Sequence, residues 1–591
     1  MKKRLSINLI GAFLVILMMS AISCTDMFDI MPKSAIDSKD MYRNVYDADA
    51  AVIGIYGKFL KIMDRYIILN ELRADLADVT PNADKYLIQL STHSVTEDNP
   101  YADPGPWYDV ILNCNDALKN FDIMREEHKM DEDQYKQRYS DIMALRCWLY
   151  LQLGIQYGSI PYVTEPIETI ADLNNESLYP KTDFADLLNI LITEMEALPY
   201  KQPYPSGSTL LTTIDTYSTE KIFINKNALL GDLYLWRGDW TLAATAYREV
   251  HRLGQLPYTV EPVGEQYYEY YMLAYTSNTN GGNWINIFRN SFGERYSNYE
   301  IMWNIPYDKN FSPKNPFIDL FSTSGSYVIK PSALAINLWN SQYRNDNGTL
   351  PGTPGDRRGL DFSYKMENGQ PVINKYAYYY NPALPFETNS KIILYRAGTM
   401  FMHFAEAANN DHRHRIAHAL LNNGIRDNWD PSPGAGQARD VTNIQQTRDE
   451  ITLALETPPY YFDARMGDYP QFRNGWYRNV GTRTRVGTLS TYVDSSLYFN
   501  MTVRPRTYID EPGLTLAVEN KIIDELALET AFEGNRWGDL LRIALRRQST
   551  EPNFLANKIG AKFDASGSPE AAAVRAKLAD PANWYLPFKI K

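Results

Sequence analysis

Residues 227–247 constrain the fold more than any other stretch: Asn-Ala-Leu-Leu-Gly-Asp-Leu-Tyr-Leu-Trp-Arg-Gly-Asp-Trp-Thr-Leu-Ala-Ala-Thr-Ala-Tyr. They read as a helix, a turn at Gly238-Asp239 and a second helix. Ala228, Ala243 and Ala246 are small enough to let the two helices approach closely. Helix, short turn, helix, with large and small residues alternating across the contact, is a tetratricopeptide-like pattern. Several such pairs precede residue 255, but without a strict 34-residue period. The expectation is a mainly α fold: a tetratricopeptide-like helix-pair scaffold with long loops and a few short strands, rather than a regular solenoid.

The other early helices follow from apolar spacing. Met41, Val45, Val52, Tyr56, Phe59 and Met63 share one stripe, with Asp37 or Ser38 as the cap. Trp107 to Leu118 and about 135–157 carry two more, the latter stopped by Gly158-Ser-Ile-Pro161. A further helix covers 183–198. Between them, 79–105 is polar and broken by Pro81, Pro100 and Pro104, which predicts a long loop.

After residue 255 the texture changes. Turn-rich runs (Asn278–Asn283, Asp346–Asp356) separate short strands expected near Trp284–Phe288, Ile301–Ile305 and Tyr376–Tyr380. Helices are expected again at 394–410 and 413–425. Residues 430–515 form an elaboration that includes Arg473, Arg478, Arg483 and Arg485. A run of this kind reads as a solvated loop or as an attraction for anionic ligands. The chain thus divides into 38–255, an N-terminal helical region, and 256–591, a C-terminal region with loop-rich insertions.

The N-terminus reads as a processing signal. Lys2-Lys3-Arg4 precedes an apolar stretch from Leu9 to Ala21, too short for a comfortable span. Ala21-Ile22-Ser23-Cys24 resembles a bacterial lipobox; the bland alternative is a secretory signal with an incidental cysteine. Residues 1–23 are then removed, Cys24 carries the lipid, and 24–37 tether the body. Loss of the three basic residues takes the formal charge from −12 to −15. An acidic chain lacks the basic footprint of a nucleic-acid binder. Cys114 and Cys147 lie in helical patterns and read as buried free thiols.

Late in the chain, Glu525-Leu-Ala-Leu-Glu-Thr-Ala-Phe-Glu-Gly-Asn-Arg-Trp-Gly-Asp-Leu-Leu-Arg542 reads as two helices broken at Gly534. Phe532, Glu533, Gly534, Arg536, Trp537, Asp539, Leu540 and Arg542 match the "F-E-G-x-R-W-x-D-L-x-R" signature of the SusD/RagB family, which this chain resembles. Glu71, Arg73 and Asp75 match its "E-x-R-x-D" run. Residues 144–164 resemble its "R-A-x-x-Y-x-x-L-x-x-x-Y-G-x-V-P-L-V" helix. Arg396, Ala405, Glu406 and Ala407 match a third helix, where Gly398 and Thr399 depart from the usual Ala-Glu. Asn583-Trp-Tyr-Leu-Pro-Phe588 resembles the terminal "Y-L-P-I-P".

The resemblance implies a lipoprotein on the outer-membrane surface, a lid on a SusC-like TonB-dependent transporter. Such proteins capture oligosaccharides, polysaccharides or, in some cases, oligopeptides. It also implies that loops near 79–105 and 307–330 build the ligand surface. The candidate ligand residues are Arg73, Tyr86, Asn99, Tyr101, Trp284, Phe321 and Tyr327, with Asn82 as a further polar partner. Helical Trp148, Trp236 and Trp537 read as core. No catalytic residue, cofactor or metal is expected. His414 and His418 share a helix face, but Arg415 replaces the glutamate that a zincin needs. Glu529 with Glu533, and Asp75 with Asp78, have carboxylate spacing but read as ordinary helix faces. Glu533 or Asp539 is expected to pair with Arg536 or Arg542. A non-catalytic protein-interaction scaffold is the alternative from a different class.

Overall fold

The computed structural model describes residues 41–166, 179–214, 217–254, 273, 284, 287–288, 300–345, 352–378, 380–422, 424–425, 459–460, 481–503 and 506–589. Cys24, the signal and tether segments, Asn278–Asn283, Arg473 and Arg478 lie outside the described residues.

The expected helix pairs form. Helix α1 (Val45–Leu60) begins at Asn44, whose side chain accepts from the Tyr46 and Asp47 N–H groups. It packs against α2 (Gly105–Glu126) and α3 (Glu132–Tyr157). Asp131 and Gln134 close a reciprocal cap at the start of α3, satisfying donors that a helix N-terminus leaves open. Gly158, at φ +74°, ends it. Helix α4 (Phe184–Glu196) lies between α3 and α5 (Lys226–Arg237), and α5 packs against α6 (Trp240–Gly254).

The close approach of α5 and α6 rests on a residue that the alanine pattern did not single out. A Cβ on Gly231 would stand 2.4 Å from the Tyr247 ring. The absent side chain is the slot that Tyr247 fills, and the Tyr247 hydroxyl donates to Asp232 at 2.7 Å.

Both sides of residue 255 contribute to one apolar core. Phe59 of α1 stacks on Trp303 with ring centroids 5.5 Å apart, and Trp148 of α3 meets both edge-on at 5.2 and 5.4 Å. The sheets among the described residues are two-stranded. Strand β1 (Ala77–Val79) pairs antiparallel with β3 (Ile329–Pro331), and β2 (Ile301–Tyr307) pairs with β4 (Ser390–Arg396). Residues 394–396 are therefore strand rather than the start of a helix. A short apolar run buried on both faces has no period that distinguishes the two. Trp284, Ile287 and Phe288 are helical, and the described residues near Tyr376 form turns, so those two expected strands are corrected.

Helices α7 (Ala333–Asn340), α8 (Ala397–Asn410), α9 (His414–Leu421), α10 (Glu511–Glu529), α11 (Arg536–Arg547), α12 (Phe554–Ser566) and α13 (Ala571–Leu578) complete the body. Cys114 and Cys147 are buried and free, and burial pushes both thiols above their ordinary range. No helix among the described residues is long and apolar enough to cross a membrane.

Candidate functional site

The segment 79–105 is not a plain loop. Asp84 caps a short helix, Lys85–Ser91, by accepting from the Tyr86 and Leu87 N–H groups at 2.9 and 2.8 Å. Aspartate at an N-cap is a legible signal that the surrounding prolines outweighed. Asn99 caps a second turn, Pro100–Ala102.

This segment is joined to 316–331. Val79 stands opposite Ile329, the Thr80 N–H donates to the Val328 carbonyl at 3.0 Å, and Asn82 Nδ2 donates to the Ser326 carbonyl at 3.1 Å. Two stretches about 240 positions apart thus share one face. Half-buried Tyr101 packs against the core. Burial raises its hydroxyl pKa, and the nearby Asp84, Asp64 and Asp319 add to the rise, with Arg65 opposing it. Half-buried Tyr86 donates to Asp98 at 3.2 Å, and the Lys85 ammonium lies 4.5 Å from its ring centroid. Aromatic rings edged by carboxylates, an amide and an arginine can stack on a sugar ring and bond its hydroxyls.

The remaining candidates lie inside. Arg73 is 1% exposed. Its guanidinium donates to Gln156 Oε1 and, at 2.6 Å, to the Trp584 carbonyl, and lies 4.0 Å from the Trp537 ring centroid. Asn99 is fully buried and bonds the Tyr86 carbonyl and Gln89. Phe321 is buried against Phe317, and Tyr327 is buried with its hydroxyl donating to the Pro371 carbonyl at 2.8 Å. Trp284, 1% exposed, donates to Glu529 at 3.0 Å. Among the described residues, Asn99, Phe321, Tyr327 and Trp284 are thus closed off from solvent in this state. Trp284, Phe321 and Tyr327 lie next to turn residues in sequence, which suggests exposure, yet later segments, at Glu529, Tyr376 and Pro371, cover them. Trp284→Ala is expected to cost about 3–5 kcal/mol, the range for emptying a core tryptophan site. Urea unfolding reads this; a variant of wild-type stability would return Trp284 to the ligand surface.

Arg73 does border a cavity of about 660 Å³, with His93, Tyr157, Lys181, Lys577 and Phe588 among its walls. The polar partners of the guanidinium are neutral, and burial pulls its pKa down. Burial and the Arg73, Lys562 and Lys577 charges push His93 well below its ordinary value.

The carboxylates of the 525–542 corner are committed to cations. Glu533 accepts from Arg396 at 2.7 Å and from Lys375, and Arg536 grips Asp75 at 2.7 and 2.8 Å. Asp539 meets Arg542 at 2.8 Å, as expected from the sequence. Glu529 holds Arg358, Arg396 and Arg485. The reading of Glu529, Glu533 and Asp75 as ordinary helix-face carboxylates is corrected: all are buried. So is the reading of Arg483 and Arg485 as a solvated run, since they pair with Glu525, Glu300 and Glu529. The departure at Gly398 has a geometric reason. A Cβ there would stand 2.1 Å from Arg396 Nη1 and 2.7 Å from Glu529 Oε1, so glycine clears space for that ion pair.

No family model matches the chain. A SusD-like protein of Formosa agariphila is 21% identical over 76% of this chain and 87% of its own. Solved structures share the fold at lower identity. A SusD superfamily protein from Bacteroides vulgatus has a TM-score of 0.56 at 13% identity, covering 92% of this chain and 96% of its own. A laminarin-binding SusD-like protein has a TM-score of 0.53 at 15% identity, covering 92% and 96%. A SusD-like protein from Bacteroides fragilis has a TM-score of 0.54 at 15% identity, covering 86% and 88%. The chain thus has the fold of the SusD-like structures, and a SusD-like protein is similar to it along most of that protein's length.

Proposed function

We propose that this protein is a cell-surface, non-catalytic glycan-binding lipoprotein that delivers oligosaccharides or polysaccharides to a SusC-like TonB-dependent transporter. The observation that carries the reading is the segment 79–105, joined to 316–331, which holds partly exposed Tyr101 and Tyr86 beside polar side chains. The laminarin-binding relative of the same fold supports a glycan as the ligand class. Cys24 as the lipid-bearing residue and 24–37 as the tether fit a body held outside the outer membrane. Multiple acyl chains, at about 0.8 kcal/mol per buried CH₂, hold such a body firmly.

The test is retention of the purified protein on immobilised polysaccharides, laminarin included, beside an oligopeptide array. Tyr101→Ala is expected to weaken glycan retention about tenfold, the equivalent of about 1.4 kcal/mol for one stacking ring, with unfolding unchanged. Tyr86→Ala should act in the same direction. Retention of peptides alone would overturn the glycan reading, and release of new reducing ends would overturn the non-catalytic one. Co-purification with the transporter tests delivery separately.

A further inference from the structure

His412, His414 and Glu511 meet where the turn after α8 touches the first residue of α10. We propose that they form a binding site for a divalent transition metal, with zinc the ion best matched to two imidazoles and a carboxylate. His412 Nδ1 lies 2.9 Å and His414 Nε2 lies 3.5 Å from the same Glu511 oxygen. The candidate ligand atoms of all three residues fall within 4.8 Å of one another. Two ligand atoms on a tetrahedral zinc, each about 2.1 Å from the ion, stand about 3.4 Å apart. The His414–Glu511 edge already has that length. The His412 side chain, 65% exposed, has room to turn and complete the set.

The protonation of His414 points the same way. Asn409 Nδ2 donates to the Thr515 carbonyl at 2.8 Å, which leaves Asn409 Oδ1 facing His414 Nδ1 at 2.9 Å. That oxygen only accepts, so Nδ1 carries the hydrogen. In the neutral ring, Nε2 is then a lone pair. Among the described residues it has no hydrogen-bond partner, it belongs to a side chain 6% exposed, and it faces a Glu511 carboxylate oxygen at 3.5 Å. Two acceptors facing each other across this distance are stabilised by a cation between them. A bond from the far imidazole N–H to an amide oxygen is also the support that metal-bound histidines generally have.

The Arg413 charge is close enough to be felt at His414, where it opposes a proton on the ring. The Arg413 guanidinium lies 5.4 Å from the Tyr460 ring centroid and donates to the Asp411 carbonyl at 3.2 Å. The Asp411 carboxylate accepts from Thr241 and Tyr460. Tyr508 packs edge-on to His414 at 6.0 Å and fixes one side of its ring. The i, i+4 partner suggested by sequence, His418, is instead engaged by Asn422 at 2.9 Å. Bound zinc would clip the α8–α9 turn to α10, segments 99 positions apart, leaving at least one coordination position open to water.

The test uses tag-free protein stripped with EDTA and titrated with zinc by calorimetry, with cobalt absorption reporting the ligand set. One equivalent is expected to bind and to raise the unfolding temperature. His414→Ala and Glu511→Gln should each weaken binding at least tenfold, and His418→Ala should leave it unchanged. His412→Ala, at an exposed ring, gives the same reading if His414→Ala does not fold. Absence of one-equivalent binding, or binding unchanged in both His412→Ala and Glu511→Gln, would overturn the proposal.

Discussion

Replacing Glu529 by alanine is expected to cost about 3–5 kcal/mol or to leave no folded protein, because the change strands buried cations. Glu529 is fully buried. Its carboxylate accepts from Arg396 at 2.6 Å, Arg358 at 2.9 Å, Trp284 at 3.0 Å and Arg485. Burial pushes its pKa up, but Arg485, Arg396 and Arg358 outweigh that and hold it well below the carboxylate range. The same cluster contains Arg483, Lys375, Asp356, Glu300, Glu525 and Glu533. Among the described residues the named cations and carboxylates are equal in number, and removal of one member breaks that balance in a place water does not reach. Glu529→Gln keeps the volume, loses the charge and introduces an N–H donor among guanidinium donors, so it should be nearly as damaging. An exposed change such as Glu570→Ala should move the urea midpoint little. A loss below about 1 kcal/mol for Glu529→Ala would mean that the cluster contributes far less than its geometry implies.

A second buried cluster makes this electrostatic balance visible in pH. Against the upward push of burial, Arg542 and Arg546 hold Glu406 down to about 2. His403, bonded to Asp232 and Asp539 at 2.9 and 3.0 Å, is pushed down by burial but raised overall to about 9 by those two carboxylates. A carboxylate with a depressed folded pKa contributes stability that is complete above its unfolded value, about 4. Glu406 loses that contribution as pH falls through about 2. A histidine with a raised folded pKa contributes fully below its unfolded value of about 6.5. For His403 that contribution is lost as pH rises through about 9. The stability difference between wild type and Glu406→Gln should therefore shrink in acid, and that between wild type and His403→Ala should shrink in alkali. Urea midpoints across pH check both.

Gly534→Ala is expected to destabilise by about 2–5 kcal/mol, combining a left-handed backbone with overpacking. Gly534 sits at φ +85°, and an added Cβ would stand 2.3 Å from the Tyr66 ring. Its N–H and that of Phe532, itself at φ +68°, donate to the two Glu71 oxygens at 2.7 and 3.0 Å. The corner therefore has no slack: moving the backbone to relieve Tyr66 breaks the bonds to Glu71. Gly567, at φ +67°, has no atom within 4 Å of the place a Cβ would take, so it isolates the backbone cost. Gly567→Ala should lose only about 1 kcal/mol. Equal losses at the two glycines would remove Tyr66 from the explanation.

The sequence by itself determined the helix pairs, the break at Gly534 and the free buried thiols. These depend on neighbours within a few turns: apolar spacing, a glycine that ends a helix, a cap. It also held the ordered segments that resemble the SusD/RagB family, among them the partners of the Arg536–Asp75 and Glu533–Arg396 pairs. Tertiary structure alone decided which aromatics reach solvent. Tyr101 and Trp284 both lie beside turn residues, yet Trp284 is closed in by Glu529, 245 positions later, while Tyr101 keeps an open side. It also decided that Glu71 and Asp75 serve a corner more than 450 positions away. Burial and ion pairing between distant segments leave no periodic trace in a sequence, since any charged residue reads as solvent-facing until its partner is placed.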